Sequence, residues 1–135
     1  MTIEARLLIK QEQDIVTARQ TARAAASQLG FGAIDQSRIA TAVSELTRNV
    51  IRYATNGAGD IVIREVSSER GVGLQIVVSD EGPGISDVNQ VMQDGFTSGH
   101  GLGLGLSGTK RLMDEMDLHT EVGIGTVVTI VKWRR

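Results

Sequence analysis

The sequence predicts an α+β sandwich, in which one mostly antiparallel sheet carries helices on one face. Residues 61–66 and 74–78 are rich in Val and Ile and flank a polar turn, and 118–122 and 126–131 form a second pair across a turn. Such pairs are typical of antiparallel hairpins. Segments with apolar residues every three or four positions lie before and between the pairs and predict helices. A sheet and helices of this kind bury their apolar sides against each other in layers.

The N-terminal half is predicted to form an edge strand and two helices. Residues 6–9 are a short apolar run, and Asp14 is a good N-cap for an alanine-rich helix over 15–29 that Gly30 would end. Asp35 is predicted to cap the second helix, which ends before 56–59. The apolar face of that helix is predicted to be Ile39, Ala42, Val43, Leu46, Val50 and Tyr53.

The C-terminal half is predicted to contain the hairpins and a third helix. Residues 80–84 read as a turn that includes Pro83, the single proline, and 88–92 as one or two turns of helix. Residues 106–116 have apolar side chains at helical spacing and predict the third long helix. Residues 123–125 are expected to turn the second hairpin.

Composition limits the function classes. At 135 residues, with 41% hydrophobic and 22% charged, we expect one folded domain over 1–135. A net charge of −2 without a block of like charge argues against nucleic acid as the main partner. The sequence has no cysteine, no apolar run long enough for a membrane helix and no signal-peptide pattern at its start. These features lead us to expect a cytoplasmic protein without a membrane partner.

A glycine-rich stretch, 101–110, dominates the sequence. Glycines at 101, 103, 105 and 108 alternate with leucines and precede the third helix, an arrangement that suits phosphate binding at a helix N-terminus. A flexible linker would not alternate with leucine. The glycines also match a dinucleotide fingerprint and nearly match a P-loop, but both motifs require a preceding strand, and 94–100 has no apolar run.

Two further polar clusters are candidates for chemistry. Glu45 and Asn49 lie four residues apart and so share one side of the second helix, where a carboxamide oxygen suits magnesium. Asp80 follows a strand and begins a segment with Gly82, Gly84 and Ile85, which could hold a flat ring against the backbone. By itself the first cluster is better explained as an exposed polar pair on an amphipathic helix, and the second as an ordinary turn.

The order and spacing of these clusters resemble one family. The pattern combines Glu45 and Asn49, Asp80-x-Gly82-x-Gly84, 101–105 with alternating glycines, and Gly123-x-Gly125-Thr126. It is similar to the Bergerat, or GHKL, ATP-binding fold of gyrase, Hsp90, histidine kinases and MutL. Within that superfamily the chain most resembles the anti-sigma serine/threonine kinases and switch proteins of the bacterial stressosome. The similarity extends to 14–19, 94–96 and 110–115 and covers nearly the whole chain.

The resemblance implies a role for each matching residue. Asn49 would bind the Mg²⁺ that bridges ATP phosphates, and Glu45 would orient or deprotonate the attacking hydroxyl. Asp80 would read the adenine amine, with Thr126 nearby through water. The base pocket and the phosphate-binding lid over 88–105 would include Gly82, Gly84, Ile85, Gly101, Leu102, Gly103, Leu104, Gly105 and Leu106. Tyr53 departs from the histidine common in sigma-binding relatives, which argues against a plain anti-sigma factor.

The resemblance also implies partners. The protein would use ATP and Mg²⁺ to phosphorylate STAS-domain scaffold or antagonist proteins (RsbS- or RsbR-like), and would then activate a PP2C-type phosphatase (RsbU-like). The alternative is an anti-sigma factor or non-catalytic binding module that depends on nucleotide. A sensor histidine kinase would need a second helical domain with a phosphorylated histidine, and gyrase-type machines would need a transducer domain. The chain is too short for either.

Overall fold

The fold is built on one five-stranded antiparallel sheet. The computed structural model describes residues 2–54, 58–82 and 105–135. Within these, the strand order is β1-β2-β3-β5-β4, and every pair is antiparallel. The strands are β1 (Glu4–Ile9), β2 (Gly59–Ser68), β3 (Gly71–Asp80), β4 (Glu115–Glu121) and β5 (Gly125–Trp133). The expected architecture is therefore confirmed, including β1 as an edge strand.

Both predicted hairpins are present, with longer strands than the sequence indicated. Ser68 pairs with Gly71 across a two-residue turn, and Gly71 has φ +101°, a left-handed value that favours glycine. Glu121 pairs with Gly125 across the turn at 122–124. The predicted helical turn at 88–92 lies outside the described residues.

The described residues form three helices: α1 (Glu12–Gln28), α2 (Ala33–Tyr53) and α3 (Leu106–Leu112). Gly30 ends α1 as predicted, with φ +88°. Its N–H donates to the carbonyl of Ser27, and the N–H of Phe31 donates to that of Ala26. This pair of bonds is the Schellman motif, which satisfies carbonyls that the helix leaves open.

The two predicted N-caps are wrong by three residues. The caps are Gln11 and Gly32, and Asp14 and Asp35 lie in the first turns of α1 and α2. The Asp14 carboxylate reaches back to accept bonds from the backbone N–H groups of Lys10 and Gln11. An acidic side chain in the first turn also favours the helix dipole, so cap and first-turn positions give similar sequence signals.

The third helix is shorter than predicted. It ends at Leu112, and the backbone at Met113 is already extended. The N–H of Asp114 then donates to the carbonyl of Val131, so 114–116 leave the helix and Met116 lies in β4. A strand partner supplied by β5 thus overrides the helical spacing of 106–116.

The core lies between the sheet and the helices. Alternate residues of the central strands, such as Ile61, Ile76 and Ile130, are fully buried on the helix-facing side. The buried side of α2 includes Ile39, Ala42, Val43, Leu46 and Val50, as its apolar spacing predicted. No helix among the described residues has the length and hydropathy needed to cross a membrane. Because alternate residues of a strand share a face, this helix-facing surface also includes Asp80, at one end of the sheet.

Candidate functional site

Asp80 lies at the end of β3, half-buried and on the same side of the sheet as the core residue Val78. Its register partner on β5 is Thr126. Burial raises the pKa of the Asp80 carboxyl, and a hydrogen bond with the backbone of Thr126 lowers it by less. A carboxylate that loses water without gaining a cation is costly in a purely structural position. Its placement therefore suits a polar ligand.

Three glycines lie against Asp80. A Cβ on Gly82 would approach Asp80 Oδ1 to 2.9 Å and the Cα of Ala54 to 3.0 Å. A Cβ on Gly125 would collide with the backbone oxygen of Asp80, and one on Gly59 would lie 2.9 Å from Val50 Cγ1. The backbone can approach Asp80 this closely only because these three positions lack side chains, and a flat heterocycle stacks best on backbone that carries no side chain. The described residues fit the expected base-binding role.

Two threonines extend this row across the sheet. The Oγ1 atoms of Thr120 and Thr126 are 3.0 Å apart and share a hydrogen bond. Thr120 Oγ1 also lies 3.3 Å from the carbonyl oxygen of Gly125, to which it can donate. The polar row at this end of the helix-facing surface is therefore Asp80, Thr126 and Thr120.

A cavity of about 300 Å³ also reaches Asp80. Its lining includes Leu8, Asp60 and Ser79, whose side chains lie on the sheet face away from the helices. The glycine-lined space next to α2 is on the other side. We therefore identify the helix side of Asp80, not this cavity, as the candidate base pocket.

Glu45 meets the beginning of α3. Its Oε1 accepts a hydrogen bond from Arg48 at 3.0 Å, one turn further along α2. Its Oε2 would be 2.6 Å from a Cβ on Gly105, so the carboxylate lies directly against the backbone of that glycine. Gly105 is the N-cap of α3 and has φ +66°. The structure thus brings together two residues that are 60 positions apart, at the end of the glycine-rich stretch.

Asn49 lies one turn after Glu45 on α2 and is half-buried. Among the described residues, no group of three or more His, Cys, Asp or Glu side chains is arranged to hold a metal ion. A magnesium ion here would therefore rely on the carboxamide oxygen of Asn49 together with oxygens that the protein does not supply, as Mg²⁺ commonly does.

Tyr53 ends α2 next to the base pocket. Its carbonyl oxygen would be 3.2 Å from a Cβ on Gly82. Its hydroxyl is buried without a hydrogen-bond partner among the described residues. A buried hydroxyl usually finds a partner, so this atom marks the end of α2 as a place where a further polar group fits.

The other predicted site residues divide into two groups. Leu106 is buried in the core, so any part it has in nucleotide binding is confined to its backbone. The residues outside the described ranges are Gly84, Ile85, Gly101, Leu102, Gly103 and Leu104.

The sequence did not indicate Gly59 or Thr120 as site residues, and it indicated Arg48 only as a plausible contact for a partner. Arg48 had a usable signal, because a basic residue three positions after an acidic one on a helix often forms an ion pair. Gly59 and Thr120 had none, since they meet Asp80 and Thr126 only through strand pairing.

Fold and site together define an ATP-binding domain, and the comparisons with known proteins agree. The chain belongs to the histidine kinase-like ATPase domain family, whose model matches residues 9–132. It is 51% identical over 127 residues to the serine/threonine-protein kinase RsbT of Bacillus subtilis (strain 168), covering 94% of each chain. It is 33% identical over 135 residues to an anti-sigma F factor of Caldanaerobacter subterraneus, covering 97% of this chain and 92% of that one. The predicted relationship to the serine/threonine kinases of the superfamily is confirmed.

Two solved structures share the fold. The RsbU and RsbW domains of Rv1364c from Mycobacterium tuberculosis match with a TM-score of 0.69 and 21% identity, over 98% of this chain and 33% of that one. The catalytic domain of the histidine kinase ThkA matches with a TM-score of 0.56 and 16% identity, over 96% of each chain. At these identities the two structures support the fold alone.

Proposed function

We propose that the protein is an ATP- and Mg²⁺-dependent serine/threonine kinase that phosphorylates STAS-domain scaffold or antagonist proteins in the cytoplasm. After phosphorylation it would leave that scaffold and activate a PP2C-type phosphatase of a stress-signalling pathway. The observation that carries the proposal is the Glu45 carboxylate, held between Arg48 and the backbone of Gly105. The 51% identity to a serine/threonine kinase, over 94% of each chain, supports it.

In this proposal the nucleotide base binds at the glycine-lined space around Asp80. Its exocyclic amine donates to the Asp80 carboxylate, and the hydroxyl of Thr126 lies beside that carboxylate on the same side of the sheet. Asn49 would hold Mg²⁺ through its side-chain oxygen. Bound ATP and Mg²⁺ supply the transferable phosphoryl group and the charge that balances it.

Glu45 acts on the protein substrate. Its Oε2 accepts the proton of the serine or threonine hydroxyl, while its Oε1 remains bonded to Arg48. The ion pair keeps the carboxylate in one orientation. Because residue 105 is a glycine, it has no side chain that would cover the carboxylate. A positioned general base of this kind typically accelerates a reaction by ~10²–10⁴-fold.

A second candidate is a binding module that sequesters a sigma factor without relying on turnover. Similarity to anti-sigma F factors, at 33% and 34% identity, favours it. The higher identity to the kinase makes phosphorylation the first proposal.

Glu45→Gln separates the two candidates. The variant keeps the size of the side chain and loses only its charge, so we expect binding of ATP and of the STAS partner to be retained. Phosphate transfer to the partner, followed with radiolabelled ATP, should fall roughly 10²-fold or more. Glu69→Gln, in the β2–β3 turn at the opposite end of the sheet, is the matched control.

Normal transfer by Glu45→Gln would remove Glu45 from the proposed mechanism. A wild-type protein that binds ATP and the STAS partner but transfers no phosphate would favour the binding-module candidate. If Glu45→Gln transfers no phosphate and still leaves the scaffold when ATP is added, then nucleotide occupancy alone drives the change of partner.

A further inference from the structure

The outer side of α2 carries an uninterrupted row of side chains that faces away from the core. The members recur every three or four residues and therefore lie on one face of the helix. They are Ile34, Arg38, Thr41, Glu45, Arg48 and Arg52. Ile34 is 70% exposed although it is a large apolar residue. The row leads from this exposed apolar side chain to the proposed catalytic carboxylate.

A groove lies beside the first half of this row. It has a volume of about 360 Å³ and runs between the N-terminal half of α2 and the end of α3. Its lining is Ala33, Ile34, Ser37, Arg38, Thr41 and Leu112. Thr41 precedes Glu45 by one helical turn, or about 6 Å along the axis. The groove therefore opens towards the carboxylate that would act on the substrate hydroxyl.

The surroundings of the groove are basic. The α2 row contains three arginines and one glutamate. Helix α3 adds Lys110 and Arg111, which are both exposed. Two of the arginines form ion pairs on their own helix, Arg38 with Asp35 and Arg48 with Glu45. The chain as a whole has a net charge of −2, so this surface differs in sign from the rest of the protein. Such a surface attracts an acidic partner.

We propose that this groove docks the phosphoacceptor protein, through a segment with an apolar side chain next to acidic residues. The inference rests on the proposed kinase function and adds how the substrate is selected. Ile34 is eleven residues, or ~16 Å, before Glu45 along the helix. An extended chain advances ~3.3 Å per residue, so the apolar side chain would lie about five residues from the phosphorylated serine or threonine.

A second copy of this chain fits the groove less well. A two-fold symmetric contact brings the same patch of both copies together. Such a contact would place one basic patch against the same basic patch of the other copy. Each patch contains Arg38, Lys110 and Arg111, and like charges at a contact are repulsive. The charge of the groove thus favours an acidic partner of a different kind.

The experiment measures steady-state phosphorylation of the STAS-domain partner by Ile34→Glu. The new charge lies in the first turn of a helix and is exposed, so we expect the variant to fold. The KM for the STAS protein should rise roughly tenfold or more, as for loss of an interface anchor. The kcat and the ATP affinity should stay at their wild-type values, a split that general misfolding would not produce. Val122→Glu, which changes an apolar residue of 66% exposure in the β4–β5 turn, is the matched control.

A charge exchange sharpens the test. Arg38→Glu should raise the same KM. Replacing the acidic residues of the partner's docking segment by lysine should then bring the KM of this variant back towards the wild-type value. An unchanged KM in Ile34→Glu, or an equal increase in Val122→Glu, overturns the groove as the docking site. A dimer of the wild-type protein that Ile34→Glu dissociates would also overturn it, because the occupant would then be a second copy.

Failure of the kinase proposal gives a different result. In that case the wild-type protein transfers no phosphate to the STAS protein, and calorimetry of the two proteins tests the groove directly. Weaker binding by Ile34→Glu than by Val122→Glu supports docking without transfer. Equal binding by both variants, or no binding by the wild type, overturns the docking proposal.

Discussion

The helix-facing side of the sheet carries charge at both ends, and the two ends differ in how that charge is compensated. At one end Lys132 is buried and donates to the carbonyl of Leu112, with Asp114 at 3.7 Å and Asp35 at 3.8 Å. At the other end Asp80 is half-buried, and among the described residues three glycines lie against it. Removing one partner of a buried charge destabilises a fold, whereas an incompletely paired carboxylate is a candidate for ligand binding.

The pKa shifts of the two aspartates differ in the same way. Burial acts to raise the pKa of the Asp114 carboxyl. Hydrogen bonds from Arg135 and the N–H of Trp133, with the charges of Lys132 and Arg135, outweigh burial and hold that pKa below the ordinary value. The pKa of Asp80 is raised by burial. Within the folded chain the ionised form of Asp114 is therefore favoured, and the ionised form of Asp80 is disfavoured.

The largest expected effect is on stability, from Asp114→Ala. This change removes the acceptor for the N–H of Trp133, which lies at 2.7 Å, and an anionic neighbour of buried Lys132. Breaking a buried ion cluster on one side costs about 3 kcal/mol of the free energy of unfolding. Urea denaturation at pH 7 measures it.

Asp117→Ala, an exposed aspartate of the adjacent strand, is the control and should cost little.

The loss of stability from Asp114→Ala should also depend on pH. Because the folded pKa of Asp114 is lowered, its contribution is present above the ordinary value of 3.8 and is lost as the pH falls through the folded pKa. A loss of less than about 1 kcal/mol in the free energy of unfolding at pH 7 would show that the charges around Asp114 contribute little to stability.

The next effect is on binding, from Asp80→Asn. Losing the acceptor for the base amine should cost about 1.5–3 kcal/mol, or roughly tenfold to a hundredfold in ATP affinity. Stability should not fall, because a raised pKa means that ionising Asp80 costs the folded state free energy at pH values above its ordinary pKa. Calorimetric titration with ATP and thermal unfolding test both parts.

Asp60→Asn, at the same end of the sheet but on its other face, is the matched control. Unchanged ATP affinity in Asp80→Asn would assign the reading of the base to another residue. A clear loss of stability would make Asp80 a structural residue like Asp114.

The smallest effect is expected from Gly82→Ala. The added methyl group would press on Asp80 Oδ1 and on the Cα of Ala54, so ATP binding should weaken by roughly 1 kcal/mol, or about fivefold. Gly108→Ala, in α3, has no atom within 4 Å of the new Cβ and is the control. It should stabilise the protein by about 0.5–1 kcal/mol through helix propensity. Equal ATP affinity in both variants would mean that the space beside Asp80 does not hold the base.

Much of the fold could be predicted from local signals. Alternating and helical spacing of apolar residues indicated the sheet, its two hairpins and the first two helices, and Gly30 indicated where α1 ends. The Glu45–Asn49 spacing, Asp80 with its glycines, and the glycine-rich stretch indicated a nucleotide site. The predictions of the fold succeeded because each rests on residues a few positions apart, where backbone preference and side-chain period act directly. The assignment of the nucleotide site stays a prediction.

The remaining features arise from contacts between distant parts of the chain. β5 ends α3 at Leu112, although the helical period continues to Met116. Strand pairing brings Gly59 and Gly125 to Asp80, and chain packing brings Gly105 to Glu45. The spacing of the sequence therefore determined which residues form each element and which face they share. Only the tertiary structure decided that cations surround Asp114 and that burial raises the pKa of Asp80, because both depend on burial and on partners that sequence spacing does not encode.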